Sequence, residues 1–438
     1  MSTLKLSLVG FGSRLVATGL TVVTTLLLAR FLGPEPTGQY FLFLRVVTLL
    51  AVLADLGFAQ STNVFAGHGE SIGQIHGIIA RFSSAMSGAL LLFFFLFLTL
   101  FGAVLLPNFA SRLQIAAFVC VPLLVYSNLW NYLMIGLGRI WTMNIVQMTA
   151  AAVSLLGVVV AVVGFSKGLD AAIAIYSAVL FFQVTAMAIL AVRLGNRFHS
   201  DHRPGLFREM WRFGLRGLGN AVSTILWPRI PVFVLNVFSG ATAVGIFSVG
   251  QQLVEKLLLP VQATQEAIYR RMAQAETAQA STSMNRYIRI SAWSMLIFFG
   301  GAALVLPLVV VAVLGNQYRA TVPIILVLLP GTLLMCAGVL LSAFFLVQLK
   351  RPGLLSMLAM ANVALTTVFS VVLVPRYGAL GAAIAVSLTQ VLGTIVIIAF
   401  YMRATGARAA DVLFISGRDR EVFVQQLRQI MWVKRAEQ

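Results

Sequence analysis

The sequence predicts an all-α integral membrane protein: about twelve transmembrane helices in two six-helix bundles, related by an internal repeat around a central cavity. Three observations predict it. Of 438 residues, 60% are hydrophobic and only 10% charged, whereas soluble domains are about one quarter charged. The apolar residues fall in runs of about 20, the length that spans a bilayer; a transmembrane β-barrel would show short alternating segments instead. The opening hairpin also recurs. Gly33, Gly38 and Tyr40 fall on Gly240, Gly245 and Phe247, 207 positions later.

The first six runs are Leu8–Ala29, Gln39–Gln60, Ile79–Leu106, Leu113–Met134, Thr142–Val163 and Ala171–Leu194. The second six are Phe213–Val237, Thr242–Gln265, Ile288–Leu314, Val322–Val347, Leu354–Val374 and Leu380–Met402. Met1 to Gly10 has one lysine and no small-residue cleavage site, so the first run reads as a retained span. Gly33-Pro34 closes the first span and opens the second. Three loops are longer than the rest: Ala66–Ile78, Gly195–Arg212 and Arg270–Tyr287. The repeat continues where Gly168–Ala174 matches Ala379–Ala385, with Arg139 falling on Lys350. Each half then carries six spans with the same orientation, as in parallel-repeat transporters. The expected division is 1–205, 206–405 and a basic tail, 406–438.

Net charge is +18, but a nucleic-acid partner does not follow, because the cations sit in short loops. One set of loops holds Arg139, Arg193, Arg203, Arg208, Arg212, Arg286, Lys350 and Arg351, while the opposite set holds only Arg30, Arg112, Lys167, Arg319 and Arg376. The positive-inside rule places both termini in the cytoplasm. Two amphipathic stretches, Phe207–Phe213 and Arg418–Arg435, suit the membrane surface, where aromatic and basic residues meet the anionic headgroups of membrane lipids.

Charges inside the spans are the candidate functional residues, since each costs about 2.5–3.5 kcal/mol on insertion scales. Arg14, Arg45, Arg216, Arg229 and Lys256 are basic; Asp55 and Glu255 are acidic. All lie in spans one, two, seven and eight, so these four should line one cavity. Arg14, Arg45 and Arg216 also lie within snorkelling reach of headgroups. Arg229 lies mid-span in Trp227-Pro228-Arg229-Ile230-Pro231, where two prolines break the helix. Gln252, Glu255, Gln262 and Glu266 fall within about 80° of one another on span eight, which Pro260 interrupts. Arg216, Asn220, Ser223 and Trp227 make a second polar face, on span seven. Asp55 and Glu255 are expected either to couple transport to proton entry or to serve as ion-pair partners. No Gly-rich loop ending in Gly-Lys-Ser/Thr, His-Glu-x-x-His site or paired-cysteine motif appears, which points away from an enzyme, a metal centre or a cofactor. Cys120 and Cys336 lie in apolar runs and predict no disulfide.

Several motifs carry a family resemblance. Leu32-Gly33-Pro34-x-x-x-Gly38-x-Tyr40 is followed by Asp55-Leu56-Gly57. Trp211-Arg212-Phe213-Gly214 opens span seven, then Arg229-Ile230, Gly240, Gly245-Ile246-Phe247, Glu255-Lys256, Pro260 and Ala267-Ile268-Tyr269-Arg270 follow in order. Val374-Pro375-Arg376-Tyr377-Gly378-Ala379-Leu380-Gly381-Ala382-Ala383 marks the turn between spans eleven and twelve. Over residues 7–402 this pattern resembles the polysaccharide transport proteins, the Wzx-type O-antigen flippases of the multidrug/oligosaccharidyl-lipid/polysaccharide exporter superfamily, with its MATE-like fold. Pro231 stands where that family often has an acid after Arg-Ile, leaving Arg229 without a local counter-ion.

The resemblance implies a flippase of the bacterial inner membrane that moves an undecaprenyl-pyrophosphate-linked oligosaccharide by alternating access. It would act as a monomer beside the polysaccharide polymerase and chain-length machinery. A multidrug/cation antiporter of the same fold, or a non-transporting scaffold of a glycan assembly complex, are the alternatives. A bare pyrophosphate cannot cross hydrocarbon, and the excess of basic over acidic residues in the spans suits an anion.

Overall fold

The computed structural model describes residues 3–105, 111–195, 203–274 and 277–407, and all regular structure in them is helical. The first half comprises α1 (Thr3–Leu32), α2 (Pro34–Asp55), α3 (Phe58–Gly67), α4 (Ile72–Leu105), α5 (Ser111–Gly136), α6 (Ile140–Val158), which runs into a π-helical end (Val159–Gly164), and α7 (Leu169–Gly195). The second comprises α8 (Leu206–Leu226), α9 (Ile230–Lys256), α10 (Leu259–Gln274), α11 (Thr277–Val309) with a π-helical end (Val310–Leu314), α12 (Thr321–Val347) and α13 (Pro352–Thr405). Among the described residues, ten stretches are long and apolar enough to cross a membrane. Two of them, Val222–Glu266 with 45 residues and Pro352–Thr405 with 54, are twice the needed length. Each turns back at a glycine of positive φ, Gly240 (76°) and Gly378 (55°). The ten stretches therefore make twelve crossings.

Their outward faces are apolar: Ile297 is 76% exposed and Leu304 74%. Such bands would drive aggregation in water, but against lipid tails they are neutral. The repeat is visible in the backbone. Gly33 (φ 81°, ψ 174°) and Gly240 (φ 76°, ψ −178°) adopt the same conformation at equivalent turns, one that costs glycine alone nothing. The face carrying these two turns is called the hairpin side below; the opposite face, where α1, α4 and α8 begin, is the basic side.

Three expectations change. The second span is not one helix; it breaks at Leu56 (φ 47°) and Gly57 (φ 76°), both left-handed. Leucine there costs about 1–2 kcal/mol. The amphipathic Phe207–Phe213 stretch is not a separate surface helix but the first turns of α8, continuous with the seventh span. Long loops shrink because helices extend beyond the membrane: α10 runs to Gln274, α11 resumes at Thr277, and α4 starts at Ile72. The Arg418–Arg435 stretch lies outside the described residues.

The halves meet along α2 and α9. Near the hairpin side, Gly38 lies on the backbone of Ala241 and Gly245 on that of Pro34. A Cβ on Gly38 would sit 1.8 Å from the Ala241 oxygen, and one on Gly245 2.0 Å from the Pro34 oxygen. Repeat-equivalent glycines thus seal the hairpin side against each other. At the basic side, Gly57 approaches the backbone of Gly214 just as closely, with 2.2 Å between a Gly57 Cβ and the Gly214 oxygen. The halves therefore touch at both membrane faces.

Candidate functional site: a basic cluster between the halves

Three of the expected residues come together inside the membrane. The turns at the hairpin side set their depth. Arg45 follows Pro34, the first residue of α2, by 11 positions. Arg229 precedes the turn glycine Gly240 by 11 positions, and Glu255 follows it by 15. At 1.5 Å per residue Arg45 and Arg229 lie roughly 16 Å deep, near the middle of a bilayer core of about 30 Å, and Glu255 roughly 23 Å deep, nearer the basic side. The charges of both Arg45 and Glu255 act on Arg229. Glu255, which is exposed and makes no ion pair with Arg229 among the described residues, is the acid that offsets the repulsion between the two arginines.

The break between α8 and α9 builds this site. Arg229 N–H bonds to the Leu226 oxygen and Val232 N–H to the Arg229 oxygen, so the carbonyls of Ile225 and Pro228 lose their helical partners. Arg229 Nη1 donates to the Ile225 oxygen at 2.5 Å, and Gln251 Nε2 donates to the Pro228 oxygen at 2.9 Å. Orphan carbonyls in a membrane need such partners. The polar stripe of the sequence points to Gln252 and passes over Gln251, whose role depends on a carbonyl 23 residues away. Arg45 Nε and Nη2 and Arg229 Nε are buried without a hydrogen-bond partner. Leaving a buried donor unmatched costs about 1–3 kcal/mol, so this cluster holds N–H groups with hydrogen-bonding capacity left unused.

The other expected residues lie elsewhere. Arg14 pairs with Glu266 at 2.5 Å, joining α1 to α10 toward the basic side. Gln252 lies 3.4 Å from Thr25 of α1. Arg216 and Gln262 are exposed, and Lys256, next to Glu255 in sequence, is half-buried. Asn220 lies on α8, but its side chain is outside the described residues. Asp55 forms no ion pair among the described residues. Its Oδ1 instead accepts from Ala59 N–H at 2.9 Å, capping α3 across the break in span two. A cap is worth about 0.5–2 kcal/mol, and asparagine caps as well as aspartate. Asp55→Asn should therefore keep the thermal stability of the purified protein while Asp55→Ala lowers it. Equal losses in both would show that the charge, not the cap, is what matters.

Residues 4–264 match the family model described as polysaccharide biosynthesis protein. The chain belongs to that family. It is 23% identical over 437 residues to the "Putative O-antigen transporter" of Shigella flexneri, covering 92% of this chain and 98% of the relative. It is 23% identical over 403 residues to the "Probable low-salt glycan biosynthesis flippase" of Haloferax volcanii, covering 90% and 81%. In structure it is similar to the lipid II flippase MurJ in an inward closed conformation, with a TM-score of 0.73 at 10% identity, over 92% of this chain and 89% of that one. It is also similar to an inward-facing multidrug resistance MATE family transporter, with a TM-score of 0.72 at 14% identity, over 89% and 94%. At these identities the structures speak for the fold alone, and this member of the polysaccharide biosynthesis family has the MATE-like fold.

Proposed function

We infer that the protein flips an undecaprenyl-pyrophosphate-linked oligosaccharide from the inner to the outer leaflet of a bacterial inner membrane. The observation that carries this reading is the mid-membrane pair of guanidinium groups with unmatched buried donors. A guanidinium fork suits phosphate oxygens, and the pair sits where a diphosphate meets its highest barrier in crossing. The family membership and the names of both relatives support a lipid-linked glycan as cargo. Arg45 and Arg229 hold the diphosphate, and Glu255 limits the net charge so that release remains feasible. Lys256, Arg216 and Arg14 extend the basic path toward the basic side. Residues 1–205 and 206–405 act as the two rocking bundles, with 406–438 as a cytoplasmic tail and both termini in the cytoplasm. The protein works as a monomer that passes its product to a polymerase.

Deletion of the gene should cause lipid-linked oligosaccharide to accumulate on the inner leaflet and abolish surface glycan, with recovery on complementation. A deletion that alters drug tolerance while leaving surface glycan intact would favour the antiporter and overturn the flippase reading.

A further inference from the structure

A second basic site lies away from the central cluster. A cleft of about 530 Å³ opens on the basic side between the third and fourth turns of α4 and the first turns of α8, lined by Arg81, Phe82, Ala85 and Met86 from one helix and Phe207, Arg208 and Trp211 from the other. Its floor is aromatic. Phe82 stacks on Phe58 with centroids 4.1 Å apart, and Trp211 meets the edge of Phe82 at 5.7 Å. Phe58 follows the Gly57 break, whose backbone packs against Gly214. Neither Arg45 nor Arg229 lines this cleft.

The charges of the cleft are unbalanced. Glu70 and Glu209, the acids nearest in sequence, are both held by Arg203, with Arg203 Nη2 3.0 Å from Glu209. Arg203 also exchanges hydrogen bonds with Gln74, which ties the start of α8 to that of α4. Arg81 and Arg208 are exposed and make no ion pair or hydrogen bond among the described residues. Two free guanidinium groups above an apolar floor, at the level where hydrocarbon gives way to headgroups, match a phosphate joined to acyl chains.

The geometry points to a resident anionic phospholipid in this cleft, its phosphate between Arg81 and Arg208 and an acyl chain along Met86. With Glu70 and Glu209 already engaged, nothing in the cleft favours the amine of a zwitterionic headgroup. The lipid bridges α4 of the first half to α8 of the second. The site is independent of what the protein transports.

The test is native mass spectrometry of the full chain, supplied with phosphatidylglycerol or phosphatidylethanolamine. The wild type should retain phosphatidylglycerol about tenfold better, and Arg81→Gln/Arg208→Gln should lose about that preference. Ala85→Trp, which fills the cleft but keeps both arginines, should also lower retention, so the result does not hang on one variant. A short polyprenyl diphosphate at equal concentration should not displace the phospholipid. Unchanged retention in the folded variants, or displacement by the diphosphate, would overturn the proposal; the latter would make the cleft an entry site for cargo.

Discussion

Gly38→Ala and Gly245→Ala should each disable transport in a protein that still inserts. The Cβ of either alanine would fall about 2 Å from a backbone oxygen of the facing half, 1.8 Å at Ala241 and 2.0 Å at Pro34. No rotamer relieves a clash with backbone, so α2 and α9 must move apart. Overpacking of this kind costs about 1–3 kcal/mol where neighbours can adjust, and a backbone contact adjusts less than a side chain. The cost falls on the state in which the hairpin side is sealed, so the population shifts toward states in which the two glycines separate. A bias of about 3 kcal/mol changes such an equilibrium by roughly a hundredfold. Labelling of cysteines placed in the interior from the hairpin side should therefore increase as export falls. Gly19 is the control: a Cβ there meets nothing within 4 Å, and Gly19→Ala should gain helix propensity of about 1 kcal/mol. If both alanine variants export normally with unchanged labelling, the glycine contact is not the seal.

That contact illustrates what the sequence could and could not show. The equivalence of Gly38 and Gly245 is legible, because glycine-proline turns and apolar runs are local signals repeated at a fixed spacing. That the two glycines face each other is not, since the repeat says nothing about where its axis lies. The break after Asp55 is illegible for a different reason. A leucine in a left-handed conformation contradicts local preference, and the packing of Gly57 on Gly214 beside it is a contact between distant stretches. The site divides similarly. Pro228 and Pro231 announce the break at Arg229, but its counter-charge Glu255 and its carbonyl partner Gln251 come from another stretch of helix. Arg14 and Glu266, 252 positions apart, each stand out for polarity without any signal that they pair.

Arg229→Ala and Arg45→Ala should each abolish or nearly abolish surface glycan at normal protein abundance. Each guanidinium offers charge-assisted hydrogen bonds to a diphosphate, worth about 1.5–3 kcal/mol apiece. Losing one such bond weakens binding roughly 10- to 150-fold. Lysine restores the charge but not the fork, so Arg229→Lys should recover part of the activity. It also cannot reach the Ile225 carbonyl in the same geometry, which keeps the recovery incomplete. Glu255→Gln should act in the opposite sense. Removing the acid leaves Arg45 and Arg229 facing each other uncompensated, so an anionic cargo binds more tightly and leaves more slowly. In vesicles this appears as a lower half-saturating concentration together with a lower maximal rate. Because Glu255 and Arg229 act on each other, the double variant should not be additive, with a coupling of about 0.5–3 kcal/mol. Normal surface glycan in both alanine variants would remove the central cluster from the transport path.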